Sequence, residues 1–302
     1  MTSTLLALAL GTFSIVAADP STGQIGVAVQ SKFPAVGALV PAARAGVGAV
    51  ATQSLANVAW REEALALLAR GVAPEEVLRT LVERDPQSAD RQIGLVDARG
   101  QAAAFTGQKC FDHAGHIVGK GYAVQGNILV SRATLEAMAR AYERARDAGR
   151  PLAERLLEAL EAGQAAGGDR RGQQSAALLV VKPGGGYVGQ GDVWVDLRVD
   201  DAPRPIAELR RLYRDVHQYY FGEPGRIVPV DAALAREIQS ALSRLGFHRG
   251  PPTGAFDAAT RQALVDFQGW ENLEGRIREG AEIDALVLAH LRRLARKAPA
   301  RR

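Results

Sequence analysis

Apolar residues in the first two thirds of the chain fall in short runs broken by turn residues. T-F-S-I-V-A-A at 12–18 is followed by D-P-S-T-G at 19–23 and then by Q-I-G-V-A-V-Q at 24–30. Two runs of strand formers joined by Asp, Pro and Gly predict an antiparallel hairpin. Neither run alternates cleanly between apolar and polar residues, so both faces of each strand are expected to be covered. Pro34 and Pro41 bracket a loop or short edge segment, and 43–54 (A-R-A-G-V-G-A-V-A-T-Q-S) predicts a third strand of small residues. Asn57 is a plausible cap for a helix over 58–70 ended by Gly71, and Pro74 suits the first position of a second helix reaching about 83. A hairpin over 92–97 and 101–107, a strand at 122–129, helices at 133–147 and 151–162, a buried strand at 176–182, β character over 187–199 and a helix at 205–220 complete the series.

This order predicts an α+β domain with two hairpin-rich sheets between helices, a pattern that other α+β folds share. After a Pro- and Gly-bounded stretch at 221–229 the pattern becomes helical, over 232–245, 258–268 and 281–294. We therefore expect a domain over 12–222, a linker at 223–230 and a small all-α three-helix module over 231–302. Leu242, Leu245, Phe247, Phe256, Leu264 and Phe267 form the expected core of that module, with Trp270 in a core or interface, or stacked on a sugar face.

Composition narrows the function classes. The 302 residues are 47% hydrophobic and 23% charged, as in soluble globular proteins, and allow roughly two domains. A net charge of +4, without aromatic-interleaved basic strands, gives no reason to expect nucleic acid as a partner. The single cysteine, Cys110, excludes an intramolecular disulfide. No apolar run approaches the ~18 residues of a membrane span. Leu5 to Leu10 is apolar, but the first basic residue is Lys32, so a signal peptide is not expected. A cytoplasmic location follows, with export or envelope association as the alternative.

Chemistry centres on Gly11-Thr12 at the head of the first strand. A threonine hydroxyl could attack the unhindered glycine carbonyl, and release would expose an α-amine of pKa near 8 as base for its own hydroxyl. The alternative is a Thr that merely starts a strand. Arg44, 32 residues on, is the candidate cation beside that nucleophile. Gly167 to Ser175 (G-G-D-R-R-G-Q-Q-S) is a polar loop entering a buried strand, where sites are commonly built. Cys110, His113 and His116 make C-x-x-H-x-x-H, which would need a fourth ligand to hold zinc. Neither a metal nor another cofactor is expected.

Several stretches resemble the bacterial family called domain of unknown function 1028: 12–23, 26–33, 43–54, 106–110 (T-G-Q-K-C), 114–116 (A-G-H), 124–130 (V-Q-G-N-I-L-V), 167–177 and 192–201 (D-V-W-V-D-L-R-V-D-D). That resemblance implies a four-layer α/β/β/α sandwich of the N-terminal-nucleophile (Ntn) hydrolase type. A wider similarity to proteasome β subunits implies Thr12 as nucleophile, Arg44 in the place of a lysine, and Asp169 and Ser175 as supporting groups. Ser31, Lys32, Gln53, Asn127, Cys110 and His116 lie within the matching stretches and are candidate substrate-binding residues. Two departures stand out: Gln30-Ser31 occupies the place of an acidic residue, and arginine, unlike lysine, does not deprotonate. The C-terminal run I-Q-S-A-L-S-R-L-G-F at 238–247 with P-T-G-A-F-D-A-A-T-R-Q-A-L-V-D-F-Q at 252–268 resembles peptidoglycan-binding domains. Two readings follow. One is an Ntn amidohydrolase of a small amide or peptide bond, homo-oligomeric, with residues 1–11 a propeptide or an over-long start. The other is a non-catalytic cell-wall-associated or assembly protein that retains the fold.

Overall fold

The computed structural model describes residues 11–222 and 225–298; the run at 5–10 and the end of the basic tail lie outside the described residues. The chain divides into two compact units, Met1–Tyr213 and Arg214–Arg302. The first opens with the expected hairpin, β1 (Thr12–Asp19) and β2 (Gln24–Ser31), followed by the one-turn α1 (Val36–Leu39). Then come β3 (Pro41–Arg44), β4 (Gly48–Ser54), α2 (Trp60–Ala69), α3 (Pro74–Arg84), β5 (Arg91–Asp97), β6 (Ala102–Thr106), β7 (Gly115–Gly119) and β8 (Tyr122–Asn127). The unit closes with α4 (Ala133–Asp147), α5 (Leu152–Ala165), β9 (Ser175–Val181), β10 (Val193–Val199) and α6 (Pro205–Arg211).

These strands form a six-stranded antiparallel sheet, β10-β9-β2-β1-β8-β7, and a four-stranded one, β3-β4-β5-β6. Alternate residues of β1 face opposite ways. Phe13, Ile15 and Ala17 pack on Leu135, Met138, Leu156 and Leu160 of α4 and α5. Val16 and Ala18 join Val27 and Val29 against Ala49, Ala51 and Val96 of the other sheet. The far face of that sheet, through Val50, Ile93 and Leu95, covers Trp60, Leu65, Val77 and Leu81 of α2 and α3. The missing alternation in β1 is thereby explained, since every one of its residues is buried. Each large apolar side chain so buried contributes about 1.5–3 kcal/mol.

Some elements differ from the sequence pattern. The expected strand at 43–54 is a hairpin, because Gly46 takes a left-handed φ of 70° that closes a tight turn between β3 and β4. The strand expected from 187 begins only at Val193, after a glycine-rich turn closed by Lys182 N–H on Asp192 O at 2.9 Å. β7 is a short glycine-bounded edge strand with too few apolar residues to be noticed in the sequence. The helix expected at 205–220 is α6, a π-helical stretch at Leu212–His217, and α7 (Gln218–Phe221).

The second unit contains α7, β11 (Ile227–Pro229), α8 (Ala232–Leu245), α9 (Ala258–Trp270), β12 (Glu282–Asp284) and α10 (Ala285–Lys297). It is not all-helical. Residues 227–229, within the expected linker, pair with 282–284, which were expected to begin the third helix. Asp231, Asp257 and Asp284 each cap a helix by accepting from a backbone N–H at 2.8 Å. Leu242, Leu264 and Phe267 are buried in its core, with Leu245, Phe247 and Phe256 packed against them. Trp270 is not in that core: it sits at the last position of α9, 77% exposed, with its ring edge-on to Phe247.

Small residues let the two sheets of the first unit approach. At Gly94 on β5 an added Cβ would lie 2.0 Å from Gln125 Oε1 of β8. Gly94→Ala is therefore expected to destabilise the first unit by about 1–3 kcal/mol in denaturant unfolding of the whole chain. A loss under ~0.5 kcal/mol would show that the sheets separate freely there.

Candidate functional site

At one end of the six-stranded sheet the strand registers align four polar residues in a row. Ser175 of β9 pairs with Ser31 of β2, Ser31 with Thr12 of β1, and Thr12 with Asn127 of β8. Their side chains lie on the same face as Val16, Val27 and Ala123, which face the other sheet, and all four are fully buried. Thr12 Oγ1 donates to Ser31 Oγ at 3.0 Å, and Ser31 Oγ donates to the Gly11 carbonyl at 2.5 Å.

A second polar layer comes from the facing sheet. Gln53 of β4 donates to the Thr12 carbonyl at 3.3 Å and to Gln92 Oε1 at 2.8 Å. Its own Oε1 accepts from Ser14 Oγ at 2.6 Å, which in turn accepts from Gln125 Nε2 at 2.6 Å. Asn127 Nδ2 donates to Gln92 Oε1 at 3.0 Å, while Asn127 Oδ1 is buried without a hydrogen-bond partner. Gln92 Nε2 reaches Thr106 Oγ1 at 2.9 Å, and Thr106 Oγ1 meets His116 Nδ1 at 2.8 Å. Protein around the imidazole desolvates it and lowers the His116 pKa.

The third component is the loop between α5 and β9. Gly167, Gly168 and Gly172 take φ of 118°, 61° and 105°, which side-chain-bearing residues rarely adopt. Ile128, just after β8, is held at φ 53° while its carbonyl accepts from Arg170 N–H at 2.8 Å, and Leu129 bridges to Asp169. A β-branched residue at that φ is strained, and the paired loop is what holds it there. The Asp169 carboxylate, with no exposed side-chain surface, accepts from Lys32 N–H at 3.2 Å, Arg171 N–H at 2.9 Å, Arg171 Nε at 3.1 Å and Arg171 Nη2 at 2.8 Å. Arg171 Nη2 also donates to the Gly11 carbonyl at 3.0 Å.

Of the sequence candidates, Thr12, Ser31, Gln53, Asn127 and Asp169 converge on this end. Arg44 does not. It ends an edge strand opposite Gly48, while Gln53 lies five residues farther along β4, roughly 16 Å at ~3.3 Å per residue. Its guanidinium instead pairs with Glu62 of α2 at 3.3 Å on the surface. The cation beside residue 12 is Arg171. Ser175 shares the row, but its hydroxyl donates to Phe33 O at 2.5 Å and accepts from Val36 N–H at 3.1 Å, so it holds the turn after β2. Lys32 contributes its backbone N–H, while its ammonium turns to Gln173 O at 3.3 Å. Cys110 Sγ donates to Arg91 O at 3.3 Å, and burial raises its pKa, so it is held as a neutral thiol. Among the described residues no group of His, Cys, Asp and Glu side chains is placed to hold a metal ion. Ser14, Gln92, Thr106, Gln125 and Arg171 were not foreseen. Their signal in the sequence is faint: isolated polar residues at inward positions of otherwise apolar strands, and an arginine two places after the loop aspartate.

The family model described as "Family of unknown function (DUF1028)" matches residues 12–209. The chain belongs to the DUF1028 family. Residues 220–291 match a second model, described as "Putative peptidoglycan binding domain". No curated protein matches the chain. Among solved structures, it is similar to the DUF1028 protein SPO2555 from Silicibacter pomeroyi, at 34% identity over 73% of this chain and 92% of that one, with a TM-score of 0.63. Anbu (ancestral beta-subunit) from Yersinia bercovieri is 12% identical over 71% of this chain and 99% of that one, with a TM-score of 0.29.

Because Arg44 is a surface residue in this DUF1028 chain, Arg44→Ala should cost at most ~1 kcal/mol, the scale of an exposed ion pair. Chemical denaturation tests this, and a loss above ~2 kcal/mol would mean that Arg44 has a structural role beyond its pair with Glu62.

Proposed function

We propose that this DUF1028 chain is an Ntn-type amidohydrolase with the α/β/β/α layering of that class, and that Thr12 is its nucleophile. The observation that carries the reading is the arrangement around one peptide bond. The Gly11 carbonyl accepts from Ser31 Oγ at 2.5 Å and Arg171 Nη2 at 3.0 Å, and the Thr12 hydroxyl lies 3.0 Å from Ser31 Oγ. The family match, which begins at Thr12, agrees with a functional domain that starts there. Once the preceding residues are removed, the Thr12 α-amine has an unperturbed pKa near 8 and acts as base toward its own hydroxyl.

Two features suit a new ammonium at that place. An added Cβ on Gly11 would lie 2.8 Å from Asp169 Oδ2, so a buried carboxylate borders the bond. Asn127, register partner of Thr12 on the neighbouring strand, has a buried Oδ1 without a hydrogen-bond partner, an acceptor a new ammonium would satisfy. Asp169 and Asn127 would orient the amine, and the amide network through Gln53 and Gln92 would hold β1 in place. The second unit, on its match to a peptidoglycan-binding family, would direct the enzyme to wall-derived peptides or amides, at the envelope or on fragments taken into the cytoplasm. No helix among the described residues is long and apolar enough to cross a membrane.

The complete burial of Thr12 favours a second reading, a non-catalytic wall-associated protein in which the bond stays intact. Intact-mass measurement and N-terminal sequencing of the purified protein separate the two, with a chain starting at Thr12 expected. An amidase screen on short peptides, γ-glutamyl amides and cell-wall peptides then compares wild type with Thr12→Ala and Thr12→Ser. Thr12→Ala should lose ~10³-fold or more in rate, and Thr12→Ser should retain part of the activity. Turnover by Thr12→Ala at the wild-type rate would overturn the assignment.

A further inference from the structure

We propose that Ser31 and Arg171 are the catalytic pair that cuts the Gly11–Thr12 bond, Ser31 as proton relay and Arg171 as the group that polarises the carbonyl. This rests on the reading of Thr12 as a self-exposing nucleophile and assigns the groups that do the exposing.

Three hydrogen bonds define the pair. The Thr12 hydroxyl donates to Ser31 Oγ at 3.0 Å, Ser31 Oγ donates to Gly11 O at 2.5 Å, and Arg171 Nη2 donates to the same oxygen at 3.0 Å. The hydroxyl that must lose a proton is thus linked through one serine to the oxygen that must gain one. In the attack, Thr12 Oγ1 bonds to the Gly11 carbonyl carbon. As it does so, its proton passes to Ser31 Oγ and the Ser31 proton passes to the Gly11 oxygen. The intermediate is a neutral five-membered ring, and no separated charge is needed in a site where Thr12 and Ser31 are fully buried. Collapse re-forms the Gly11 C=O and breaks the C–N bond: the proton on the Gly11 oxygen returns to Ser31 Oγ, and the proton that Ser31 took from the Thr12 hydroxyl passes to the Thr12 nitrogen. The product is an ester of Gly11 on Oγ1 with a free amine, and water then hydrolyses the ester. Arg171 supplies a fixed positive charge to the oxygen throughout, and it cannot compete for the proton because a guanidinium does not deprotonate.

Asp169 is a positioning residue. Its two oxygens take Arg171 Nε at 3.1 Å and Nη2 at 2.8 Å, which fixes the plane of the guanidinium at the carbonyl. The fit also explains the glycine. A Cβ at residue 11 would lie 2.4 Å from Arg171 Nη2 and 2.8 Å from Asp169 Oδ2, so only glycine lets this held arginine reach the carbonyl.

The test is a time course of the full chain made by cell-free synthesis, with the fraction starting at Thr12 read by intact mass. Ser31→Ala and Arg171→Met should each slow scission by ~10²-fold or more. Ser31→Thr, which restores a hydroxyl, should come within ~10-fold of wild type, and Arg171→Lys should fall between wild type and Arg171→Met. Gly11→Ala should slow scission by displacing Arg171. If Ser31→Ala does not fold, Ser31→Cys replaces it, and its weaker donor must slow scission at least ~10-fold. Wild type that cuts while Ser31→Ala, or its Cys substitute, cuts at the same rate overturns the relay and leaves the Thr12 reading standing. Arg171→Met at the wild-type rate overturns the role of Arg171 in the same way. Wild type that never cuts overturns both readings.

Discussion

Hydroxyls and amides buried between two sheets are stable only while each donor finds an acceptor, because an orphaned group costs about 1–3 kcal/mol. In the first unit that demand ties the two sheets together at one end. Gln53 on β4 reaches across to Ser14 and the Thr12 carbonyl on β1, and Gln92 on β5 reaches across to Asn127 and Gly126 O on β8. These bonds are directional, whereas the apolar contacts at Val16, Val27, Ala49 and Ala51 are not. The apolar part brings the sheets together, and the amide part sets how β1 sits against β4 and β5. Thr12 is positioned from both sides: by its register with Ser31 and Asn127 within its sheet, and by Gln53 from the other.

A buried carboxylate adds a stricter demand. Asp169 has no exposed side-chain surface, and burying a charge is costly unless it is paired and hydrogen-bonded. Two backbone N–H groups and the Arg171 guanidinium meet that demand, but only because glycines at 167, 168 and 172 let the loop fold over the aspartate. The strained φ at Ile128 belongs to the same construction, since the bridge from Leu129 to Asp169 needs the chain to turn sharply after β8. The cation that reaches the Gly11 carbonyl is therefore a consequence of how the aspartate is neutralised.

Elements whose boundaries carry local signals were easier to read in the sequence than pairings that depend on distant residues. The β1–β2 hairpin carries its own turn chemistry in D-P-S-T-G, so it was legible. The hairpin of β3 and β4 was not, because a run of Ala, Val and Gly reads the same whether or not Gly46 turns the chain back. The β11–β12 ribbon escaped notice for another reason: its strands are short and more than fifty residues apart, and nothing local marks their pairing. In the site, Thr12 and Asp169 stand out by their places at a strand head and in a polar loop, whereas Ser31 is marked only by the resemblance to the family. A spacing of 32 residues from Thr12 does not bring Arg44 to it, because the turn at Gly46 leaves it on the surface against Glu62. Arg171 has no signal of its own in the sequence, because its role comes from an Asp169 bond and a Gly11 carbonyl that meet only in three dimensions.

The burial of Thr12 gives the proposed chemistry an order in time. With no exposed surface, its hydroxyl can meet only a carbonyl already inside the site, and Gly11 supplies one covalently. On the proposed reading, an external amide is attacked only after the chain has been cut before Thr12. That cut does two things at once: it frees the amine that serves as base, next to the Asp169 carboxylate, and it returns the donors of Ser31 and Arg171 from Gly11 O to an incoming carbonyl. On the proposed reading, activation and opening of the site are therefore one covalent event. On that reading, the burial that keeps the Thr12 hydroxyl from solvent is what makes its own peptide bond the first substrate.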